Sequence, residues 1–263
     1  MHAPTAIWIV RESARPIAER IAKELNALVL PAAIANENAP SSNRNQFESL
    51  FHQYDPWILL MATGIATRFL SGLPKHKLSD PAVVVLDEAV RFAIPILGGH
   101  EKGANALAYQ IALITGATPV ITTATEALKP LTLGIGCRRG MSAERIHSAV
   151  TRSLQACGQT LEAVREVATV DIKSTEPGLL QWIKANQLPL RVFSSDQLAQ
   201  RPWTANPSNW VQKSVGLAGV CEPCALLAAP RGNLILPKLA TAGVTVAIVA
   251  DIPSRFNIPC ADN

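Results

Sequence analysis

His100, Glu101 and Lys102 stand between Gly98-Gly99 and Gly103, where an apolar run gives way to a helical pattern. An imidazole titrates near neutrality and serves as a general base. Glycines at such a turn permit positive φ and let a ligand approach the main chain. A helix start offers N–H groups to an anion. These residue types fit activation of a water beside an oxyanion. They fit equally a tight turn whose histidine bonds a neighbouring carbonyl. Glu101, and Glu88 at another strand end, are the carboxylates that can orient His100.

A second group is cationic. Arg138-Arg139 lies within Gly136-Cys-Arg-Arg-Gly140, after an apolar run. Two guanidinium groups there either clamp a carboxylate or form a solvated turn. Lys173 and Lys238 flank strand ends and either reach a carboxylate or lie on the surface. Glu176 and Glu222 fall in helix first turns, where negative charge is stabilised anyway, so helix capping is the expected role for both. Cys221-Glu-Pro-Cys224 has the spacing of a redox site or of half a zinc site. No second cysteine or histidine pair matches it, so packing at a helix start is expected, and no protein metal site.

The elements that must position these groups follow from periodicity. Apolar runs predict strands over 6–10, 27–30, 57–62, 82–86, 90–97 and 119–122, then 131–135, 167–172, 190–193, 233–236 and 244–249. Amphipathic stretches predict helices from Ser13 through Leu25, over 46–54, 65–70 and 104–115, then 143–157 with Ser142 as N-cap, 161–166, 175–186 and 222–229. Asn, Ser and Pro predict a loop over 36–45, and 203–209 reads as another. Alternating strands and helices mean an α/β protein with mostly parallel sheets. The pattern restarts near Lys129-Pro130, which predicts two α/β domains joined by a short linker, over 1–128 and 129–251, with a tail over 252–263. In open α/β sheets ligands sit beyond the carboxyl ends of strands. The candidate turns there are Thr63-Gly64, Asp87-Glu88, 98–103 and 134–140. Neither a dinucleotide GxGxxG fingerprint nor a Walker A motif is present.

Composition narrows the partners. The 263 residues are 48% hydrophobic but only 5% aromatic, so the cores must be aliphatic. A net charge of +4 without a Lys/Arg cluster argues against nucleic acid and suits a small acidic ligand. The longest apolar runs fall short of a membrane span. Five cysteines, an odd count without a secretory signal, predict a reducing cytoplasm.

Several ordered motifs together resemble one family. Met61-Ala-Thr-Gly-Ile-Ala-Thr-Arg68, Ser79-Asp-Pro-Ala-Val-Val-Val-Leu-Asp-Glu88, Gly98-Gly-His100 with Gly103-Ala-Asn105, and Gly116-Ala-Thr-Pro-Val-Ile-Thr-Thr-Ala-Thr125 are similar to the N-terminal domain of the CbiG family of cobalamin biosynthesis. Gly134-Ile-Gly-Cys-Arg-Arg-Gly140 with Ser142-Ala-Glu144, Asp171-Ile-Lys173 with Glu176-Pro-Gly-Leu179, the stretch from Val215-Gly216 to Ala225-Leu226, and Pro237-Lys238 resemble its C-terminal domain, which also occurs alone as the CobE type. The resemblance implies two α/β domains and a cobalt-precorrin-5A hydrolase, which opens a δ-lactone on an anionic tetrapyrrole and releases acetaldehyde. It places His100, Glu101 and Glu88 as catalytic candidates. Gly64, Arg68, Gly98, Gly99, Gly103, Asn105, Gly136, Arg138, Arg139, Lys173, Glu176, Glu222 and Lys238 become substrate-binding candidates. The cobalt arrives inside the substrate, so no cofactor is implied. Other cobalamin-pathway enzymes and a second copy of the chain are compatible partners.

Three features depart from the family pattern. Only a few residues separate Thr125 from Leu131, where the family often has a middle segment. Lys102 stands where a glycine is usual. Cys221 and Cys224 flank a glutamate in a stretch usually rich in alanine. The shortened middle leaves open a non-catalytic protein that binds or hands on a corrinoid intermediate.

Overall fold

The computed structural model describes residues 3–30, 40–200 and 219–251, apart from the side chains of 40–42 and 127. The loop expected over 203–209 and the tail over 252–263 lie outside the described residues. The chain divides into two compact units, Met1–Ala124 and Thr125–Asn263. Both are α/β, with sheets of mostly parallel strands.

In unit 1, six strands run in the order β2-β1-β3-β4-β5-β6. They are β1 (Ala6–Ile9), β2 (Leu28–Leu30), β3 (Trp57–Leu60), β4 (Val83–Leu86), β5 (Phe92–Leu97) and β6 (Thr118–Pro119). The helices are α1 (Arg15–Leu25), α2 (Pro40–Leu50), α3 (Thr63–Leu70) and α4 (Ala104–Thr115), with α5 (Ala124–Ala127) a single turn at the unit boundary. The central strands are apolar at every position because helices cover both faces. Ile7, Ile9, Ile58, Leu60, Val84 and Leu86 pack on one side with Ala18 and Ile21 of α1 and Leu107, Ala108 and Ile111 of α4. The alternate residues Trp8, Trp57, Leu59, Val83 and Val85 pack on the other side with Phe47 of α2 and Ala66 and Leu70 of α3.

Two expectations change here. Part of the stretch predicted as loop over 36–45 is the start of α2, which begins at Pro40. Proline suits a first helical turn. Further along, Phe47 is fully buried against Trp8 and Trp57, with ring centroids 5.4 and 4.9 Å away. Packing overrides the loop-like Asn/Ser composition. The second change is the direction of β5, which runs antiparallel to β4. Five residues, 87–91, connect the two strands, too few for a parallel crossover of a dozen or more. Asp87 shapes this hairpin turn: its Oδ1 accepts the N–H groups of Arg91 and Phe92, both at 2.7 Å.

In unit 2, five strands run in the order β10-β11-β7-β8-β9. They are β7 (Leu131–Cys137), β8 (Val164–Val170), β9 (Leu190–Phe193), β10 (Asn233–Thr241) and β11 (Val244–Ala250). Strand β11 pairs antiparallel with both β10 and β7. Among the described residues the helices are α6 (Ala143–Ala156), α7 (Pro177–Ala185), α8 (Ser195–Gln200) and α9 (Cys221–Ala228). Ser142 caps α6 as expected, its hydroxyl accepting the Arg145 N–H at 3.4 Å. The helix expected over 161–166 is only a 3-10 turn, Leu161–Ala163, before β8. Val164, Val167, Ala168 and Val170 are buried in the sheet, so the β-branched run belongs to the strand. The sheet also claims Gly136, which lies within β7 rather than in the turn that follows it.

Helix α9 rests directly on β7, and Gly134 makes this possible. A Cβ at Gly134 would stand 1.8 Å from the Cys221 carbonyl oxygen. Gly134→Ala should therefore destabilise unit 2 by about 1–3 kcal/mol through overpacking. Gly64→Ala is the control, since nothing lies within 4 Å of its added Cβ. Because Gly64 is helical, that change should be neutral or stabilise by roughly 0.5–1 kcal/mol. Urea unfolding of the two variants checks the contrast.

Candidate functional site

The 98–103 turn of unit 1 lies at the end of the sheet where β3 and β4 begin. Leu97 pairs with Val83, so β5 delivers Gly98 beside Ala82. A Cβ on Gly98 would meet the Ala82 Cα at 3.2 Å, and its φ is +67°. Gly99 is also required: an added Cβ would stand 2.6 Å from Thr123 Cγ2. The Gly98 carbonyl accepts the N–H groups of Lys102 and Ala104, and the Gly99 carbonyl accepts that of Asn105. These three donors, expected to face an anion, are thus engaged inside the turn. Gly103 takes a φ of +80° at the N-terminus of α4. Asn105 Nδ2 donates to Thr123 Oγ1 at 3.0 Å, tying α4 to the following segment.

His100 and Glu101 are exposed at the tip. Glu101 lies 3.7 Å from Lys77 Nζ. Its own N–H, with Lys77 and His100 nearby, holds its carboxyl below the usual range. Lys102 pairs with Asp55 at 2.6 Å. Glu88 does not belong to this group. It follows β4 at the opposite end of the sheet, where it pairs with Arg11 at 3.2 Å. The antiparallel return of β5 separates it from His100, so Glu101 is the carboxylate beside the imidazole. Gly64 also lies at that far end, beyond the end of β3, and Arg68 is exposed one turn further along α3.

Two contributors here are not among the candidate site residues. Asp80, 3% exposed, accepts the N–H groups of Lys75 and His76 at 2.7 and 2.8 Å and so shapes the loop carrying Lys77. Asp55 accepts the Ala82 N–H at 3.0 Å while pairing with Lys102. The available signal was Ser79-Asp80-Pro81 before a buried strand, a turn-forming sequence.

In unit 2 a cavity of about 320 Å³ opens beside the end of β7. Gly136, Arg138, Lys173 and Lys238 line it together with Cys137 and Val220. Arg139 is exposed and is not part of the lining. Glu176 and Glu222 stand behind the cations, but neither caps its own helix. Glu176, 7% exposed, accepts the Gly140 N–H at 2.6 Å and lies 3.9 Å from Lys173 Nζ. Glu222, 1% exposed, accepts the Lys238 N–H at 2.9 Å. The capping expectation is thus corrected: both carboxylates brace neighbouring segments, because burial leaves them needing donors that the packed strand and turn supply. Helix α7 can come this close because Gly178 has no side chain; a Cβ there would stand 1.9 Å from the Met141 carbonyl oxygen.

The four described cysteines are free thiols. Cys221 and Cys224 are buried in α9. Burial pushes the Cys221 thiol up to about 11 and the Cys224 thiol well above its ordinary value. Since the thiolate is the reactive species, both should resist iodoacetamide at pH 8 in the native protein and react on unfolding. Peptide mapping before and after denaturation checks this. Among the described residues no group of three or more His, Cys, Asp or Glu is placed to hold a metal ion. Nor is any helix among them long and apolar enough to cross a membrane.

Comparison with known proteins follows the same two units. The family model described as "Cobalamin synthesis G N-terminal" matches residues 45–126, and that described as "Cobalamin synthesis G C-terminus" matches 131–249. The chain is 27% identical over 296 residues to "Cobalt-precorrin-5A hydrolase" of Salmonella typhimurium, covering 78% of this chain and 84% of that protein. It is 23% identical over 305 residues to the protein of the same name from Priestia megaterium, covering 79% and 81%. Both alignments are longer than the chain itself, so each relative has residues that this chain lacks. "Protein CobE" of a Sinorhizobium species is 33% identical over 133 residues, covering 50% of this chain and 86% of that protein.

Proposed function

Because the chain belongs to the CbiG family of cobalamin-synthesis proteins, we propose that it is a cobalt-precorrin-5A hydrolase. The observation that carries this reading is coverage: relatives bearing that name align with more than three quarters of the chain and extend over most of their own length. The substrate in this reading is an anionic tetrapyrrole whose cobalt is its own. The protein's residues therefore bind, orient and move protons.

Water adds to the acyl carbon of the δ-lactone, and the ring oxygen leaves as a hydroxyl group. Deprotonation of that hydroxyl then breaks the adjacent carbon–carbon bond. Acetaldehyde departs, and the conjugated macrocycle takes the electron pair and a proton. One water is consumed, one acetaldehyde is released, and no oxidant is needed. His100 is the base in this scheme and Glu101 the carboxylate beside it. The cationic lining of the unit 2 cavity suits an anionic substrate.

Reaction of the lactone in ¹⁸O-labelled water tests the proposal. The expected result is label in the newly formed carboxylate of the product. A product carboxylate without label, formed at the enzyme-dependent rate, would refute hydrolysis at the acyl carbon.

A further inference from the structure

The unit 2 cavity combines two kinds of surface. Its wall is apolar, with Val220, Val244 and Ala240 beside the half-exposed Ile172. Its cations are Arg138, Lys173 and Lys238. Among the described residues no carboxylate forms an ion pair with Arg138, and Lys173 meets Glu176 only at 3.9 Å. Glu176 also accepts the Gly140 N–H, so one buried carboxylate braces both the turn that carries Arg138 and the lysine opposite it. At about 320 Å³ the cavity is near the lower limit for small-molecule sites. It is too small for a macrocycle and large enough for one acidic arm with the ring edge that bears it.

We propose that this cavity grips a single carboxylate arm of the tetrapyrrole, with Arg138 and Lys173 on the carboxylate and the apolar wall against the ring edge. The assignment rests on the reading of the substrate as a polycarboxylate tetrapyrrole, but its test does not depend on turnover. The arm's carboxylate replaces the loose Glu176 contact of Lys173 and gives Arg138 a charged partner. Arginine suits such a fork, and the lysine adds a point charge.

Cys137 supplies a reporter, because it lines the same cavity and is half-buried there. Burial pushes its thiol up, Lys173 pulls it down and Glu176 pushes it up again, so the thiol senses both groups. The experiment uses the full chain carrying Cys157→Ser and Cys260→Ser, with iodoacetamide, an uncharged reagent. The probes are coproporphyrin, which carries propionate arms, and its methyl ester, which has the same ring without the charges. At about ten times its Kd the acid should slow Cys137 alkylation roughly tenfold, since only the unliganded fraction reacts. The ester should give little protection. Arg138→Gln combined with Lys173→Gln should abolish protection at the same acid concentration. Equal protection by acid and ester would overturn the assignment. So would undiminished protection in the double variant, or none in the parent chain. A chain that protects Cys137 yet releases no acetaldehyde would sink the hydrolase reading and leave this site standing. A chain that turns over without protection would do the reverse.

Discussion

If the proposed mechanism holds, His100→Ala should lower acetaldehyde release by about 10²–10⁴-fold, the range that positioned general-base catalysis supplies. Binding of the intermediate changes far less, because the imidazole sits at the exposed tip of its turn and its loss removes no packed surface. The turn itself survives, since the Gly98 and Gly99 carbonyls hold it through the N–H groups of Lys102, Ala104 and Asn105. Glu101→Gln should give a smaller loss, because it removes only the neighbour of the base. Glu88→Gln is the control. Glu88 lies at the other end of the sheet with Arg11, and its substitution should leave acetaldehyde release within about twofold, the small effect usual for exposed ion pairs. Anaerobic initial rates for the three variants check the set. Wild-type rates in His100→Ala would remove the imidazole from the mechanism.

Arg138→Ala combined with Lys173→Ala should raise KM by roughly tenfold for each cation removed and leave kcat within a few-fold. Both residues line the unit 2 cavity, and the proposal assigns them to one carboxylate arm that does not react. Such contacts are made equally in ground and transition states, so their loss appears in KM. Added salt should weaken the parent chain toward the variant, because Arg138 is exposed and its field is screened. Arg139→Ala should do little, since that side chain lies outside the lining. Steady-state kinetics at two ionic strengths separates these outcomes. A fall in kcat with unchanged KM would place the cations at the reacting atoms instead.

Much of the frame was legible because its signals are local. Helix α4 starts and stops where strand, glycine turn and apolar period predict. The runs at β3 and β4 are buried on both faces, as uninterrupted apolar residues imply. What escaped depends on partners far along the chain. The direction of β5 was written in the five-residue connection at 87–91, but the alternating pattern predicts only mostly parallel sheets and does not single out the reversed strand. That one reversal decides which carboxylate stands near His100. Glu176 and Glu222 sit where helix capping is the local expectation, yet their hydrogen-bond partners lie 36 and 16 residues away. The early start of α2 at Pro40 also escaped, because Asn and Ser predict loop up to residue 45 and a helix only from Gln46.

Catalytic release of acetaldehyde tests the central claim most directly. The chain is incubated anaerobically with a large excess of the lactone intermediate, and acetaldehyde is trapped as it forms. Hydrolysis predicts one acetaldehyde for each lactone consumed, in amounts far exceeding the protein present, with the rate proportional to its concentration. Tight binding of the intermediate with no acetaldehyde above the protein-free control would contradict it, and would make the chain a corrinoid-binding protein rather than an enzyme.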